Sequence, residues 1–145
     1  MSRAVEQLLR DGVRAAAPAS LVSGLPSTVH ALVTRGDPLE ASLAAGSILL
    51  PTERSRLRLL AAAVPVHLSL SAIWGLVLAV AVPRKRPVVE GVISGLLIAA
   101  FDLGGVGRRF PRVRALPVLP QVADHIAFGV ITAFALSRQG RKKKT

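Results

Sequence analysis

All three histidines of this 145-residue chain, His30, His67 and His125, stand inside apolar stretches, and Glu40, Glu90, Asp102 and Asp124 accompany them there. Imidazole and carboxylate in such surroundings can hold a proton, relay it, or ligate a metal ion. A charged side chain at bilayer mid-depth costs roughly 2.5 to 3.5 kcal/mol on insertion scales, so these groups ask for a reason.

Consecutive membrane helices run antiparallel between shared loops, which lets depth be counted along the chain. His67 stands fifteen residues before Val82, Asp102 fifteen after Pro87 and Asp124 thirteen before Ser137. At 1.5 Å per residue, all three lie about 20 to 22 Å from one common surface. The pattern predicts a single polar layer. His67 and Ser71 are i,i+4 neighbours on one helix face, His125 shares a face with Gln121 on another, and His30 can reach the same level.

The reading that asks least of this layer is hydrogen bonding across helices, with Asp102 or Asp124 paired to an arginine of an adjacent loop. A proton or substrate pathway through a polar cavity is the second reading. A metal site is the third and weakest, because no tight His-x-x-His or Glu-x-x-His spacing is present and neighbours such as Asp124 and His125 diverge by about 100° on a helix. No cofactor or metal is expected. The 104–107 glycine run has neither the P-loop lysine nor the strand-to-helix context of a nucleotide loop, and Ser27 and Thr28 beside His30 have no nucleophile-elbow context. Trp74 reads as a packing residue.

The elements that must position this layer follow from uninterrupted apolar length, since a helical span needs about 20 residues. The segment 59–82 is the strongest span, closed by the basic, proline-flanked loop 83–87. Residues 88–106 form the next, with Gly91, Ser94 and Gly95 on a small-residue face that lets another helix approach closely. A last span covers 117–137, before the basic tail 138–145. Residues 15–34 give a weaker span, kinked by Pro18, Gly24 and Pro26. Residues 39–50 are too short to cross and are expected as a re-entrant or interfacial half-helix. Residues 2–14 alternate apolar and charged faces and read as an amphipathic helix lying on the membrane. Glu6, Arg10 and Asp11 interrupt any signal-peptide core, so the N-terminus is expected to be retained.

Composition agrees with this picture. Apolar residues make up 51% of the chain, and the 19 Lys and Arg against 8 Asp and Glu, a net +11, gather between the apolar stretches. Nucleic acid is not the expected counter-charge, because the chain has four Phe, one Trp and no Tyr to interleave with its basic residues and no recognisable binding motif. Anionic lipid headgroups are. The absence of cysteine removes disulfides and thiol catalysis. A four-span chain with both termini cytoplasmic has eleven Lys and Arg inside and eight outside, whereas a fifth span would leave ten against nine, so four is preferred. The bias towards Ala, Val and Arg suggests a bacterial source.

The expectation is therefore an all-α, small polytopic helical membrane bundle of about four transmembrane helices plus one short re-entrant or interfacial helix, forming one domain over 1–145 in a bacterial plasma membrane. The leading functional expectation is an accessory or structural subunit, not an enzyme. It would bind the lipid bilayer, another membrane protein or a second copy of itself through small-residue faces. The alternative is a membrane transporter or enzyme that uses the His and Asp layer, and a cavity lined by His67, Asp102 and His125 would favour it.

Overall fold

In the computed structural model, which describes residues 2–142, the chain is helical throughout apart from short connections, and the described residues contain no strand. Helix α1 (Arg3–Val22) begins at Ser2, whose hydroxyl accepts the Val5 N–H at 3.4 Å. It survives Pro18 and stops at Ser23 and Gly24, where α2 (Leu25–Val33) starts with Pro26 in its first turn. The seven-residue α3 (Glu40–Gly46) precedes α4 (Arg56–Ala81), which ends just before Pro83. Helix α5 (Pro87–Gly104) has proline in its first turn and stops at the Gly104–Gly105 pair. A 3₁₀ turn at Val106–Arg109 and the one-turn α6 (Pro111–Arg114) lead into α7 (Val118–Lys142).

Among the described residues, three helices are long and apolar enough to cross a membrane: α4, α5 with its 3₁₀ extension, and α7. Many of their large side chains point outward while their contact glycines are buried. Val80 of α4 and Leu97 of α5 are 70% and 67% exposed, while Gly75, Gly91 and Gly95 are buried. This is the arrangement expected where lipid, not water, surrounds a bundle and helix association depends on close backbone approach. The three apolar helices indicate a multi-pass membrane protein.

Glycines set the helix contacts. Helices α5 and α7 run antiparallel, with Gly91 against Gly129 and Val130 and Gly95 against His125 and Ile126; a Cβ on Gly95 would lie 2.5 Å from the His125 carbonyl oxygen. Helices α1 and α4 do the same through Gly12, Ala16 and Gly75, and Gly46 seats α3 on the Leu59 backbone. The core between α1, α4, α5 and α7 is correspondingly small-chained on the α1 side, where Ala15, Ala16 and Ala19 meet Leu78, Phe128 and Leu136.

Several expectations are corrected. The division between a surface helix 2–14 and a span 15–34 is absent, since α1 is continuous across residue 14 and packs on α4 and α7. The change at residue 14 is one of charge, and the alanines that follow are the best helix formers, so nothing there interrupts the backbone. The real break is at Ser23–Gly24. Segment 15–34 is thus shared by two helices, and the count of spans supported by length and composition is three, not four. The half-helix of 39–50 is reduced to α3, and the 138–145 tail continues α7 to Lys142, with 143–145 outside the described residues.

Candidate functional site

A cavity of about 730 Å³ occupies the half of the bundle away from the 83–87 loop, here called the distal half. Its walls come from the last turn of α1, α2, α3, the middle of α4, the end of α5, α6 and the start of α7. Most of the lining is apolar. The polar part is concentrated where α4, α5 and α7 face one another, and it contains His67, Ser71, Trp74, Asp102, Gln121, Asp124 and His125.

Asp102 is the hub of this wall. Its Oδ2 accepts the Trp74 indole N–H at 3.0 Å and lies 3.4 Å from Nε2 of His125. The other ring nitrogen of His125, Nδ1, sits 2.7 Å from the main-chain carbonyl oxygen of Gln121, a contact that only an N–H can make. With Nδ1 donating, a bare Nε2 and a carboxylate would oppose lone pair to lone pair. A proton placed between them, on Nε2 or on the carboxyl, would turn this contact into a hydrogen bond. Both side chains are about four-fifths shielded, with relative exposures of 20% for His125 and 18% for Asp102. The Phe101 ring meets Trp74 edge-on at 5.6 Å between centroids and holds the indole in place.

The neighbouring groups have separate partners. Nε2 of His67 approaches the Ser20 carbonyl oxygen at 2.6 Å, which ties α4 to the last turn of α1. Oδ1 of Asp124 accepts the Ser27 backbone N–H at 2.9 Å. That donor belongs to the first turn of α2, where no residue of α2 supplies a side-chain cap. Asp124 is thus a cap contributed from α7 to a helix that starts beside the bundle's polar wall.

The layer is therefore partly assembled. Asp102 and His125 meet directly, Gln121 takes part through its main-chain carbonyl, and His67, Ser71 and Asp124 line the same cavity without joining the Asp102 pair. His30 stays outside: it is exposed on α2, and its backbone carbonyl takes the Thr34 hydroxyl. Gly91 and Gly95 lie on the α5–α7 contact, while Ser94 is half-buried beside it. Among the described residues, neither Asp102 nor Asp124 pairs with a loop arginine. Glu90 accepts the Lys85 and Arg86 backbone N–H groups at 3.1 and 3.0 Å and so caps α5. Trp74 is a donor as well as a packing residue. The sequence carried that signal, since residues 67, 71 and 74 share one helix face at i, i+4 and i+7. Ser27 carried none, because its role lies in its backbone.

The distal rim is built from ion pairs. Arg112 of α6 grips Glu40 of α3 through two bonds of 2.7 and 2.9 Å. Arg56 does the same to Asp37, and that guanidinium, with the Leu39 backbone N–H, holds the Asp37 carboxyl below its usual value. Glu53 is also held low, by the Ser55 backbone N–H first and Arg58 second. Thus three of the distal arginines, Arg56, Arg58 and Arg112, pair with acids of the same end, and no Lys or Arg is among the residues lining the cavity. Among the described residues, no three His, Asp or Glu side chains converge into a metal-binding group.

Compared with known proteins, the chain matches no family model, no curated protein and no solved structure.

Proposed function

We propose that the protein is a membrane carrier that binds a small amphiphilic cation in the distal cavity and exchanges it for the proton held between Asp102 and His125. The observation that carries this reading is the composition of the cavity wall: two carboxylates, two imidazoles and no lysine or arginine, around a space of about 730 Å³. That volume is within the usual range for small-molecule pockets, roughly 300 to 1,000 Å³. A cation entering it supplies the positive charge that the shared proton otherwise provides, so one leaves as the other binds and the buried charge stays balanced. The Trp74 face adds a surface on which a quaternary or alkylated ammonium group can rest.

The accessory-subunit reading is less well supported, because Gly91 and Gly95 are spent on the contact with α7 and are not offered to a partner. In the proposed topology α1 and α2 together make a fourth, kinked crossing. The register of α1 along α4, with Gly12 beside Gly75 and Ser20 beside His67, supports this. The combined Lys and Arg count across the loops, eleven against eight, supports termini on the cytoplasmic side of a bacterial plasma membrane.

Trp74 is the only tryptophan of the chain and lines the cavity, so its fluorescence reports occupancy. Protein in lipid nanodiscs is titrated with hexyltrimethylammonium, a permanent cation, and with hexanol as the neutral control. The cation is expected to shift Trp74 emission saturably, with tighter binding as pH rises and proton competition falls, and hexanol is expected to bind much more weakly. Asp102→Asn should remove the pH dependence. Equal response to the two compounds, or cation binding indifferent to pH, would contradict the carrier reading.

A further inference from the structure

The exposed face of α1 presents charge where its neighbours present hydrocarbon. The Gly12–Gly75 contact and the Ser20–His67 bond fix α1 antiparallel to α4, so Arg10 and Arg14 fall level with residues 77 and 73 of α4. Counted back from Val82 at 1.5 Å per residue, they lie about 7 and 14 Å inside the proximal boundary. At that level α4 exposes Ile73, Val77 and Val80. On α1, by contrast, Arg3, Glu6, Gln7, Arg10 and Arg14 line a groove of about 310 Å³ along one exposed arc of the helix. Glu6 answers only one of the three arginines, through its 3.0 Å bond with Arg10. The same arc turns apolar beyond Arg14: Ala17 is exposed and Leu21 is 85% exposed.

From these features we infer that the α1 groove is a binding site for an anionic phospholipid, whose phosphate is drawn below the ordinary headgroup level onto Arg10 and Arg14. Its acyl chains then run on along Ala17 and Leu21. The sign of the groove selects an anion, and the planar guanidinium fork suits a phosphate oxygen pair. The switch from arginine to aliphatic residues on a single arc matches a molecule with a phosphate at one end and hydrocarbon beyond it. Depth argues the same way. An arginine among lipid tails brings a polar partner with it, and a headgroup can follow the long side chain inward.

The test compares full-length protein in phosphatidylcholine nanodiscs with and without phosphatidylglycerol. Phosphatidylglycerol should raise Tm and remain bound in native mass spectrometry, and Arg10→Gln with Arg14→Gln should reduce its retention severalfold. The pair Lys85→Gln and Arg86→Gln removes equal charge from the neighbouring exposed loop and should leave retention unchanged. Equal loss in both variants would mean general surface charge and overturn the site. Equal stabilisation by inorganic phosphate would overturn the lipid as its occupant, and a dimeric mass with α1 at the interface would replace it with a second copy. Should the α1 variant fail to fold, a photoactivatable phosphatidylglycerol on the unmodified protein decides: labelling within 3–21 supports the site, and labelling confined elsewhere overturns it.

Discussion

The indole N–H of Trp74 on α4 points at Oδ2 of Asp102 on α5 from 3.0 Å, and that one oxygen also faces His125 of α7. Three helices are thereby joined through a single carboxyl, and its replacements differ in a way that separates structure from proton chemistry. In Asp102→Asn the amide oxygen at the Oδ2 position still accepts from Trp74, and His125 keeps its Nδ1 bond to the Gln121 carbonyl. Asp102→Ala leaves two half-buried donors or acceptors unpaired, at a cost of about 1 to 3 kcal/mol. The expected outcome in thermal unfolding is a clear loss for alanine and a small change for asparagine, accompanied by a red shift of Trp74 emission in the alanine variant only. Equal loss in both would show that the negative charge itself, rather than the hydrogen-bond pattern, holds the wall together.

Helix contact is tested at Gly95. Its missing Cβ is the space taken by the His125 carbonyl and Ile126, so Gly95→Leu must push α5 and α7 apart. Overpacking of this kind typically costs about 1 to 3 kcal/mol, and backbone cannot yield as a flexible side chain would. Lower thermal stability in detergent is expected, together with disturbed Trp74 fluorescence, because His125 sits on the same contact. Unchanged stability and fluorescence would contradict the α5–α7 packing.

The spans that the sequence made legible are those in which hydropathy and helix limits coincide: the loop 83–87 has proline at both ends, and Gly104–Gly105 stops α5. The similar depths of His67 and Asp102 were countable from that loop, and that of Asp124 from Ser137. The α1 fold was not, since alanine propensity carries the backbone past Arg14 while charge suggests a boundary there, and only the Gly12–Gly75 contact reveals which governs. His30 was misplaced for a related reason. The expected single kinked span 15–34 is two helices, and the break at Ser23–Gly24 leaves His30 on an exposed face of α2. The cavity itself depends on α3 and α6, helices of seven and four residues whose positions rest on Glu40–Arg112 pairing that no local pattern announces.

The distal rim should loosen in acid. Asp37 and Glu53 are held below their ordinary values in the folded protein. Their contribution is therefore complete above the unfolded carboxyl values, about 4, and is lost as pH falls through the lower folded ones. Amide exchange corrected for intrinsic rates should accelerate over 37–58 as pH drops below that range, while α5 and α7 hold. The pairs are exposed, so salt should weaken the effect. Uniform protection across the chain at low pH would count against the rim as an acid-sensitive unit.

The last prediction concerns Asp124, which stands next to His125 in sequence and lines the same cavity but is assigned a different task. Its carboxyl oxygen replaces the side-chain cap that α2 lacks, and capping requires an acceptor, not a charge. Asp124→Asn should therefore keep α2 in place and leave the pH dependence of cation binding intact. Asp124→Ala should release the first turn of α2 at a cost of roughly 0.5 to 2 kcal/mol, the usual range for losing a cap. Amide exchange at Ser27 is the direct readout, because its N–H is the proton that Asp124 protects. Faster exchange at Ser27 in the alanine variant with normal exchange in the asparagine variant is the expected pattern. If instead Asp124→Asn abolishes the pH dependence that Asp102→Asn is expected to remove, the exchangeable proton belongs to Asp124, and the Asp102–His125 pair is only its neighbour.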